Sequence, residues 1–304
     1  MKKQYKSLML LLLTAMIWGF AFVAQLIGAN QVDTFTFNGI RFILGALSLI
    51  PVILLFEKNS HDKNTLKTTM ISGIAAGIIL FSASTLQQFG VMLTGSAGKA
   101  GFLTGLYTVI VPIIGIFLKH KTSINTWLGA ILAVIGLYFV SFSDGFDAVG
   151  PGDFALIAGA VMWALHIIVI DHYSLKIYSL RFAMTQFLVC GFLSAVCALI
   201  FEDISISNIM AAKFPILYAG LMSVGVAYTC QILGQKDADP TAASIILSTE
   251  SIFSALGEAL VLGVILTGWN YKPLTLKNYI GCAIIFCGII ISQLNFKNNT
   301  HNLS

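Results

Sequence analysis

Charged side chains are scarce in this sequence of 304 residues, where they make up 10% of the total against 57% hydrophobic residues. Soluble domains carry about 25% charged residues, so this composition excludes an ordinary soluble protein. No polar stretch is long enough to form a separate domain, which disfavours a sensor or signalling protein. The length instead accommodates about ten apolar spans of about 20 residues, joined by short loops.

Sequence motifs of enzymes are also missing. The five cysteines lie within apolar stretches and lack the spacing of a metal site. There is no His-Glu-x-x-His zinc motif, no Gly-x-Ser-x-Gly elbow and no Walker loop, so the sequence indicates no enzyme, cofactor or ATP-driven pump. One acidic pair, Asp237 and Asp239, leaves open a membrane-embedded or lipid-handling enzyme with a cytoplasmic-face acidic site. Turn and helix-cap roles are commoner for such a pair.

The positive charges are distributed unevenly along the chain. If the amino terminus is cytoplasmic, only Lys213, Lys272 and Lys277 of the 17 Lys and Arg residues are external, and two more lie within spans. The others lie on the cytoplasmic side, which is the bias typical of membrane proteins. We therefore predict a multi-pass protein of the inner or plasma membrane, surrounded by lipid, with residues 1–6 and 295–304 as cytoplasmic tails. The net charge of +4 reflects this bias and indicates no nucleic-acid partner.

The two halves of the chain resemble each other. Trp18 and Trp163 lie 145 positions apart, and Arg41 matches Gln186 at the same offset. Similar offsets relate three further pairs: Gln87 and Gln231, Gly129 and Gly281, Gly136 and Gly288. Because each half reads as an odd number of spans, the second copy must lie upside down in the bilayer. Inverted repeats of this kind are typical of secondary transporters.

These observations predict the fold class. We expect an all-α, polytopic membrane protein with ten transmembrane helices, arranged as two inverted five-helix repeats over residues 7–142 and 153–294. Continuous apolar runs of about 20 residues fit helices, whereas barrel strands alternate over about ten residues. A short connection between the repeats indicates that the two halves pack as one body.

Ionisable residues within the spans are the first functional candidates, because they are costly in hydrocarbon. Glu250 and Glu258 lie eight residues apart on the ninth span and share a helix face. Glu250, about 14 Å from the cytoplasmic end of its span, is a candidate to couple protons or to bind a cationic group. A carboxylate satisfied by a neighbouring hydroxyl or amide is the alternative. Arg41 and Lys99 could bind a carboxylate or could extend to the external headgroups.

The tryptophans indicate where a solute would bind. Trp18 and Trp163 lie near the middle of equivalent spans, although tryptophan usually lies at the membrane interface. We predict that they are facing walls of one central site, and that His166 is a candidate proton carrier or is simply hydrogen-bonded. The other predicted substrate-binding residues are neutral hydrogen-bonding groups: Gln87, Tyr107, Gln186, Tyr228 and Gln231. Such groups suit an amphiphilic solute better than a bare ion.

Three segments resemble a known family. The mid-helix tryptophan of Ala15-Met-Ile-Trp18-Gly and the following Arg41-Phe42 pair are similar to the first half of EamA-type transporters, in the drug/metabolite transporter superfamily. The segment 241–255 resembles the ninth helix of that family, and Asn278–Ser292 resembles its glycine-spaced last helix. Family members often have proline after the ninth-helix glutamate, where this chain has Ser251.

The resemblance implies a function as well as a fold. It implies export of amino acids or similar small metabolites, driven by a proton or solute gradient. The solute would lie between the repeats while two four-helix groups rock, and the fifth and tenth helices are candidates for packing or a homodimer contact. The family's Leu-Gly-Glu triplets are replaced here by Leu118-Lys119-His120 and Leu262-Gly263-Val264, so no coupling role is carried over to those positions.

Overall fold

The computed structural model describes residues 2–57, 62–119, 122–141, 150–261 and 275–293. Within these ranges, eight helical stretches are long and apolar enough to cross a membrane, and two shorter apolar helices bring the number to ten. The linker residues 142–149, the triplets ending at His120 and Val264, and the tail 295–304 lie wholly or partly outside the described residues.

The helices follow one another in this order: α1 (Lys2–Ala29), α2 (Thr34–Phe56), α3 (Lys63–Thr94), α4 (Ala97–Gly105), α5 (Tyr107–Phe117), α6 (Ile124–Ser141), α7 (Pro151–Tyr173), α8 (Ser179–Phe201), α9 (Ile206–Ala211), α10 (Lys213–Leu217), a π-helical segment (Tyr218–Tyr228), α11 (Thr229–Gln235), α12 (Pro240–Leu247), α13 (Glu250–Gly257) and α14 (Leu276–Gln293). The fourth span thus comprises α4 and α5, and the ninth begins with α12 and α13. The eighth span joins α10, the π-helical segment and α11.

Short polar residues fix where several helices begin. The side chains of Asp62, Ser96 and Asp239 each accept hydrogen bonds from backbone N–H groups in the first turn of the following helix. These groups have no partner within the helix, so a capping oxygen satisfies them in lipid, where water cannot. Gly95 ends α3 with φ +63°, a left-handed conformation that glycine adopts without a side-chain clash.

α2 and α8, the second helix of each repeat, pack antiparallel and cap each other. At the predicted external face, Glu202 accepts from the backbone N–H groups of Phe35 and Thr36 at 2.6 and 2.7 Å. At the predicted cytoplasmic face, Glu57 accepts from the backbone N–H groups of Leu180 and Arg181 at 2.9 and 3.1 Å. Each carboxylate therefore closes the helix N-terminus of the other repeat, where the helix dipole favours negative charge.

α6 and α14, the last helices of the two repeats, also pack antiparallel. A Cβ atom built at Gly129 or at Gly136 would lie 2.6 Å from the carbonyl oxygen of Gly288 or Gly281, respectively. Only glycine permits this approach of two backbones, which provides the packing that holds helices together in lipid. Because equivalent helices pair head to tail, the predicted all-α fold of two inverted five-helix repeats is confirmed.

The fourth and ninth spans differ from the uninterrupted helices that were predicted. The fourth span is interrupted at Leu106, between α4 and α5. The ninth span is interrupted at Ser248 and Thr249, between α12 and α13. The hydroxyls of Ser248 and Thr249 donate to the carbonyls three residues earlier, at 2.8 and 2.7 Å, and so compete with the regular helix. The breaks place Tyr107 and Glu250 at the start of α5 and α13, in the middle of the bundle.

Candidate functional site

A small internal cavity lies between the two repeats. Its volume is about 20 Å³, which holds roughly one water molecule. The lining residues come from both halves of the chain: Trp18, Ala21, Phe22, Gln25, Arg41, Gln87, Thr104, Tyr107, Trp163, Ile167, Ser223, Tyr228, Gln231 and Glu250. Eight of the twelve predicted site residues therefore meet around one space, and the other four lie outside it.

Three aromatic rings fill most of this central space. The Trp18 and Trp163 ring centroids are 6.2 Å apart, and the ring of Tyr228 lies 4.7 Å from Trp18 and 6.1 Å from Trp163. The two tryptophan rings lie next to each other at an interplanar angle of 42° and come from equivalent positions of α1 and α7. Beside these rings the cavity has room for roughly one water molecule.

The polar edges of both tryptophans are bonded within the protein. The Trp18 Nε1–H donates to the carbonyl of Ser223 at 3.3 Å, and the Trp163 Nε1–H donates to Gln87 Oε1 at 2.8 Å. Gln87 in turn donates through Nε2 to Gln25 Oε1 at 2.9 Å. The indole faces are thus what the tryptophans present to the cavity, and Gln87 positions Trp163.

Glu250 is the one acidic residue of the cavity lining. It is 3% exposed, and its Oε1 accepts a hydrogen bond from the Tyr107 hydroxyl at 3.0 Å. Among the described residues no Lys, Arg or His forms an ion pair with it. A buried carboxylate costs several kcal/mol of desolvation unless a cation or a proton accompanies it, so this position can take up either one.

Arg41 is the one basic residue of the same lining. It is 3% exposed, so it does not extend to the headgroups, and its guanidinium lies over the rings of Phe37 and Phe42 at 5.5 and 4.9 Å from their centroids. Its Nε has no hydrogen-bond partner in the described part of the chain, and no carboxylate there pairs with it. Arg41 can therefore bind an anionic group that enters the cavity.

His166 and Gln186 lie behind the aromatic rings and do not line the cavity. Both are fully buried, and His166 Nε2 lies 2.9 Å from Gln186 Oε1. Because the amide oxygen can only accept, Nε2 is assigned as the protonated nitrogen. The imidazole packs edge-on against Trp163 and Tyr228, at centroid distances of 5.7 and 6.1 Å, so His166 supports these rings.

Lys99 and Glu258 also lie outside the cavity, near the predicted external face. Lys99 Nζ forms an ion pair with Asp153 at 2.9 Å, which joins α4 of the first repeat to α7 of the second. Glu258 accepts from the backbone N–H of Gly98 at 2.6 Å. Ser254, one turn before Glu258, donates to the carbonyl of Ala97 at 2.6 Å. These contacts close the bundle on that side, because they join both repeats above the cavity.

Six lining residues were missed by the sequence analysis: Ala21, Phe22, Gln25, Thr104, Ile167 and Ser223. Gln25 lies two turns after Trp18 and so on the same face of α1, which is a signal that the sequence carries. Thr104 precedes Tyr107 by one turn in the same way. Ser223 contributes its backbone carbonyl, and no side-chain pattern reveals that.

Asp239, one residue of the acidic pair at the predicted cytoplasmic face, has a structural role. Asp239 accepts from the backbone N–H groups of Thr241 and Ala242 at 2.9 and 3.2 Å, as the N-cap of α12. In the part of the chain that the structure describes, no group of three or more His, Cys, Asp or Glu side chains could hold a metal ion.

Two inverted repeats of helices around a buried, partly polar cavity define the class of the protein: it is a membrane transporter. The sequence profile of the EamA-like transporter family matches residues 5–142 and 150–294, nearly the whole described chain. The chain therefore belongs to this family.

Individual relatives agree with this assignment. A protein of Archaeoglobus fulgidus named "Uncharacterized transporter" is 30% identical, over 93% of this chain and 84% of its own length. The "Uncharacterized transporter YoaV" of Bacillus subtilis is 22% identical, over 93% of this chain and 94% of its own. A crystal structure that is 19% identical superposes with a TM-score of 0.76, covering 95% of this chain and 96% of that one, and thus has the same fold.

Proposed function

We propose that this transporter exports amino acids or closely similar zwitterionic metabolites by alternating access. The observation that supports the proposal is one acidic and one basic side chain on the same cavity. Arg41 and Glu250 both line it, both are buried, and neither has an ion-pair partner among the described residues.

The charge pair matches the two ends of an amino acid. The guanidinium of Arg41 binds a carboxylate through charge-assisted hydrogen bonds, and the carboxylate of Glu250 binds an ammonium group. Each solute charge then relieves the desolvation cost of one buried protein charge. A solute with only one charge leaves the other protein charge unpaired, so the cavity favours zwitterions over simple anions or cations.

The small cavity fits one stage of alternating access. The Trp18, Trp163 and Tyr228 rings occupy its centre, and they come from α1, α7 and the π-helical segment. A solute enters only when these helices move apart, which opens the cavity to one face while contacts such as Lys99–Asp153 close the other. When the cavity holds no solute, Glu250 is the position where a proton substitutes for the ammonium group, which couples transport to a proton gradient.

The test is counterflow in proteoliposomes that contain the purified protein and an unlabelled amino acid. We expect labelled amino acids to accumulate inside, and we expect organic acids and amines of similar size not to accumulate. Arg41→Gln and Glu250→Gln should each lower the accumulation at least tenfold, because each leaves one end of the zwitterion without its partner.

Glu258→Gln is the matched control for Glu250→Gln. Both residues are carboxylates of the ninth span, but Glu258 lies off the cavity, and a glutamine amide oxygen can still accept from the Gly98 N–H. We expect this variant to bind amino acids with the affinity of the parent protein. If Glu258→Gln lowered the affinity for amino acids as much as Glu250→Gln does, the result would contradict the proposal. Accumulation of no amino acid at all would also contradict it.

A further inference from the structure

Two glutamines at equivalent positions of the repeats meet the cavity in different ways. Gln87 and Gln231 lie 144 positions apart, and both line the cavity. The amide of Gln87 is satisfied by the protein, since its oxygen accepts from Trp163 and its nitrogen donates to Gln25. The amide of Gln231 has no partner for either its oxygen or its nitrogen in the described part of the chain.

The unpartnered amide is buried, because Gln231 is 1% exposed. An unsatisfied buried polar atom is unfavourable, so a solute group that bonds both atoms of the amide binds more tightly than one that bonds neither. An aliphatic side chain at this position would fill the same space without leaving a polar atom unsatisfied. In contrast to Gln87, the Gln231 amide is therefore available to bond a group that enters the cavity.

We propose that Gln231 binds the side chain of the solute, and that the preferred solutes are amino acids with a carboxamide side chain. This inference rests on the proposed function, in which Arg41 and Glu250 hold the two charged groups. A carboxamide offers one acceptor and two donors. It pairs with the free oxygen and the free nitrogen of Gln231 in one reciprocal arrangement.

Other side chains fit this position less well. A carboxylate only accepts and an ammonium group only donates, so each leaves one atom of Gln231 without a partner. An aliphatic or thioether side chain leaves both atoms unpaired. A site that hydrogen-bonds a solute group discriminates strongly against analogues that lack it, because its own buried groups are then unsatisfied.

The position of Gln231 along its helix agrees with this assignment. It lies one turn after Tyr228 on α11 and four residues before the helix ends at Gln235, about 6 Å from that end. Glu250 lies ten residues into its span, about 15 Å from the same face. Gln231 therefore lies nearer the predicted cytoplasmic face than Glu250 on the same cavity, so it is available to a part of the solute other than the ammonium group.

The experiment measures competition in counterflow. Labelled glutamine is the transported solute, and unlabelled glutamine, methionine and glutamate, which have side chains of similar length, are the competitors. We expect glutamine to compete at least tenfold better than methionine or glutamate. In Gln231→Leu the preference for glutamine over methionine should disappear, and in Gln231→Glu, which keeps acceptors and loses the amide donor, it should fall.

Gln87→Leu is the matched control at the equivalent position. It removes a glutamine from the same cavity, but one whose amide bonds protein groups, so we expect slower transport of every solute with an unchanged ratio of glutamine to methionine. Equal competition by glutamine and methionine in the parent protein would overturn the inference and leave the proposed function standing. An unchanged ratio in folded Gln231→Leu and Gln231→Glu would also overturn it, whereas failure to transport any amino acid would remove both proposals.

Discussion

At the scale of single residues, Gln87 and Trp163 are coupled by a hydrogen bond. Trp163 has only a donor to offer, so the Gln87 oxygen must face it and the Gln87 nitrogen must face Gln25. This bond joins α3 of the first repeat to α7 of the second. The orientation of the indole wall therefore depends on a glutamine that does not itself need to contact the solute.

A double-mutant cycle tests this coupling. Trp163→Phe and Gln87→Leu each break the 2.8 Å hydrogen bond, so we expect each to weaken solute binding. The double variant should lose less binding free energy than the sum of the losses in the two single variants. The expected coupling is about 1 kcal/mol, or about fivefold in Kd. The measurement is the Kd of a transported amino acid for the four proteins.

Trp18→Phe serves as the reference in that cycle. Trp18 is the repeat equivalent of Trp163 and lines the same cavity, but its N–H bonds the carbonyl of Ser223. The loss of binding free energy in Trp18→Phe should add to the loss in Gln87→Leu within about 0.5 kcal/mol. Full additivity of Trp163→Phe with Gln87→Leu would show that the bond does not position the indole.

The residues that the sequence revealed are those that are unusual for their depth in the membrane. Trp18, Trp163 and Glu250 attract attention because tryptophan and carboxylates are costly or rare at mid-span, and they line the cavity. Gln186, the repeat equivalent of Arg41, is neutral and lies behind the cavity with His166. Duplication therefore predicts the place of a helix better than the role of a side chain, since contacts across helices decide that role.

At the level of helices, the reciprocal caps of α2 and α8 are the clearest contribution to stability. Glu57 and Glu202 are 145 positions apart, which is the offset of the tryptophans, so the repeat pattern contained a signal for them. Their partners, the N-terminal N–H groups of the paired helix, depend on antiparallel packing. Sequence alone does not provide that pairing.

Removal of one cap should lower stability measurably. Glu202→Gln loses the negative charge and one of the two oxygens that accept from Phe35, Thr36 and the Thr36 hydroxyl. We expect a loss of about 1 kcal/mol, or about 2–4 °C in the melting temperature of the purified protein in detergent. Asp203→Asn removes a charge from the neighbouring exposed residue and should change the melting temperature by less than about 1 °C.

The same measurement distinguishes a cap from a general effect of charge. Glu57→Gln breaks the equivalent cap at the other face, and because the two sites are a membrane thickness apart, its effect should add to that of Glu202→Gln. Equal shifts for Asp203→Asn and Glu202→Gln would contradict the capping role.

The breaks in the fourth and ninth spans show where helix prediction from sequence is limited. Both spans are apolar on average, so their composition predicts one helix each. In the ninth span the interruption comes from local competition, in which the hydroxyls of Ser248 and Thr249 bond nearby carbonyls. A hydropathy profile does not detect such bonds. They interrupt the helix so that α13 begins at Glu250.

On the scale of the whole molecule, two of the contacts that join the repeats differ in kind. The α6–α14 pair is close-packed through glycines, and such an interface has no water-filled or polar alternative in lipid. The ion pair between Lys99 and Asp153 is different, since its side chains are 16% and 6% exposed at the predicted external face. Water can replace this contact when the face opens, so we expect the ion pair to break during transport and the glycine pair to stay closed.

Reversible cross-links test this difference between the two contacts. In a background with the five native cysteines replaced, Lys99→Cys/Asp153→Cys would be joined by a short bis-methanethiosulfonate reagent. We expect the cross-link to stop amino-acid counterflow and a reductant to restore it, because the external side can then open again. The uncross-linked double variant gives the reference rate and removes any effect of losing the ion pair itself.

Gly129→Cys/Ser292→Cys is the matched pair on the other contact. A Cβ atom at Gly129 would lie 2.8 Å from the Ser292 Cβ but also 2.6 Å from the Gly288 carbonyl oxygen. The disulfide therefore requires α6 and α14 to separate locally, and the uncross-linked double variant gives the reference rate for this pair. If α6 and α14 form a static support, this cross-link leaves at least half of the reference rate. Inhibition at both sites would mean that the last helices of the repeats move as well. Inhibition at neither would show that the contacts around Lys99 are no gate, and alternating access would then require another part of the bundle to open.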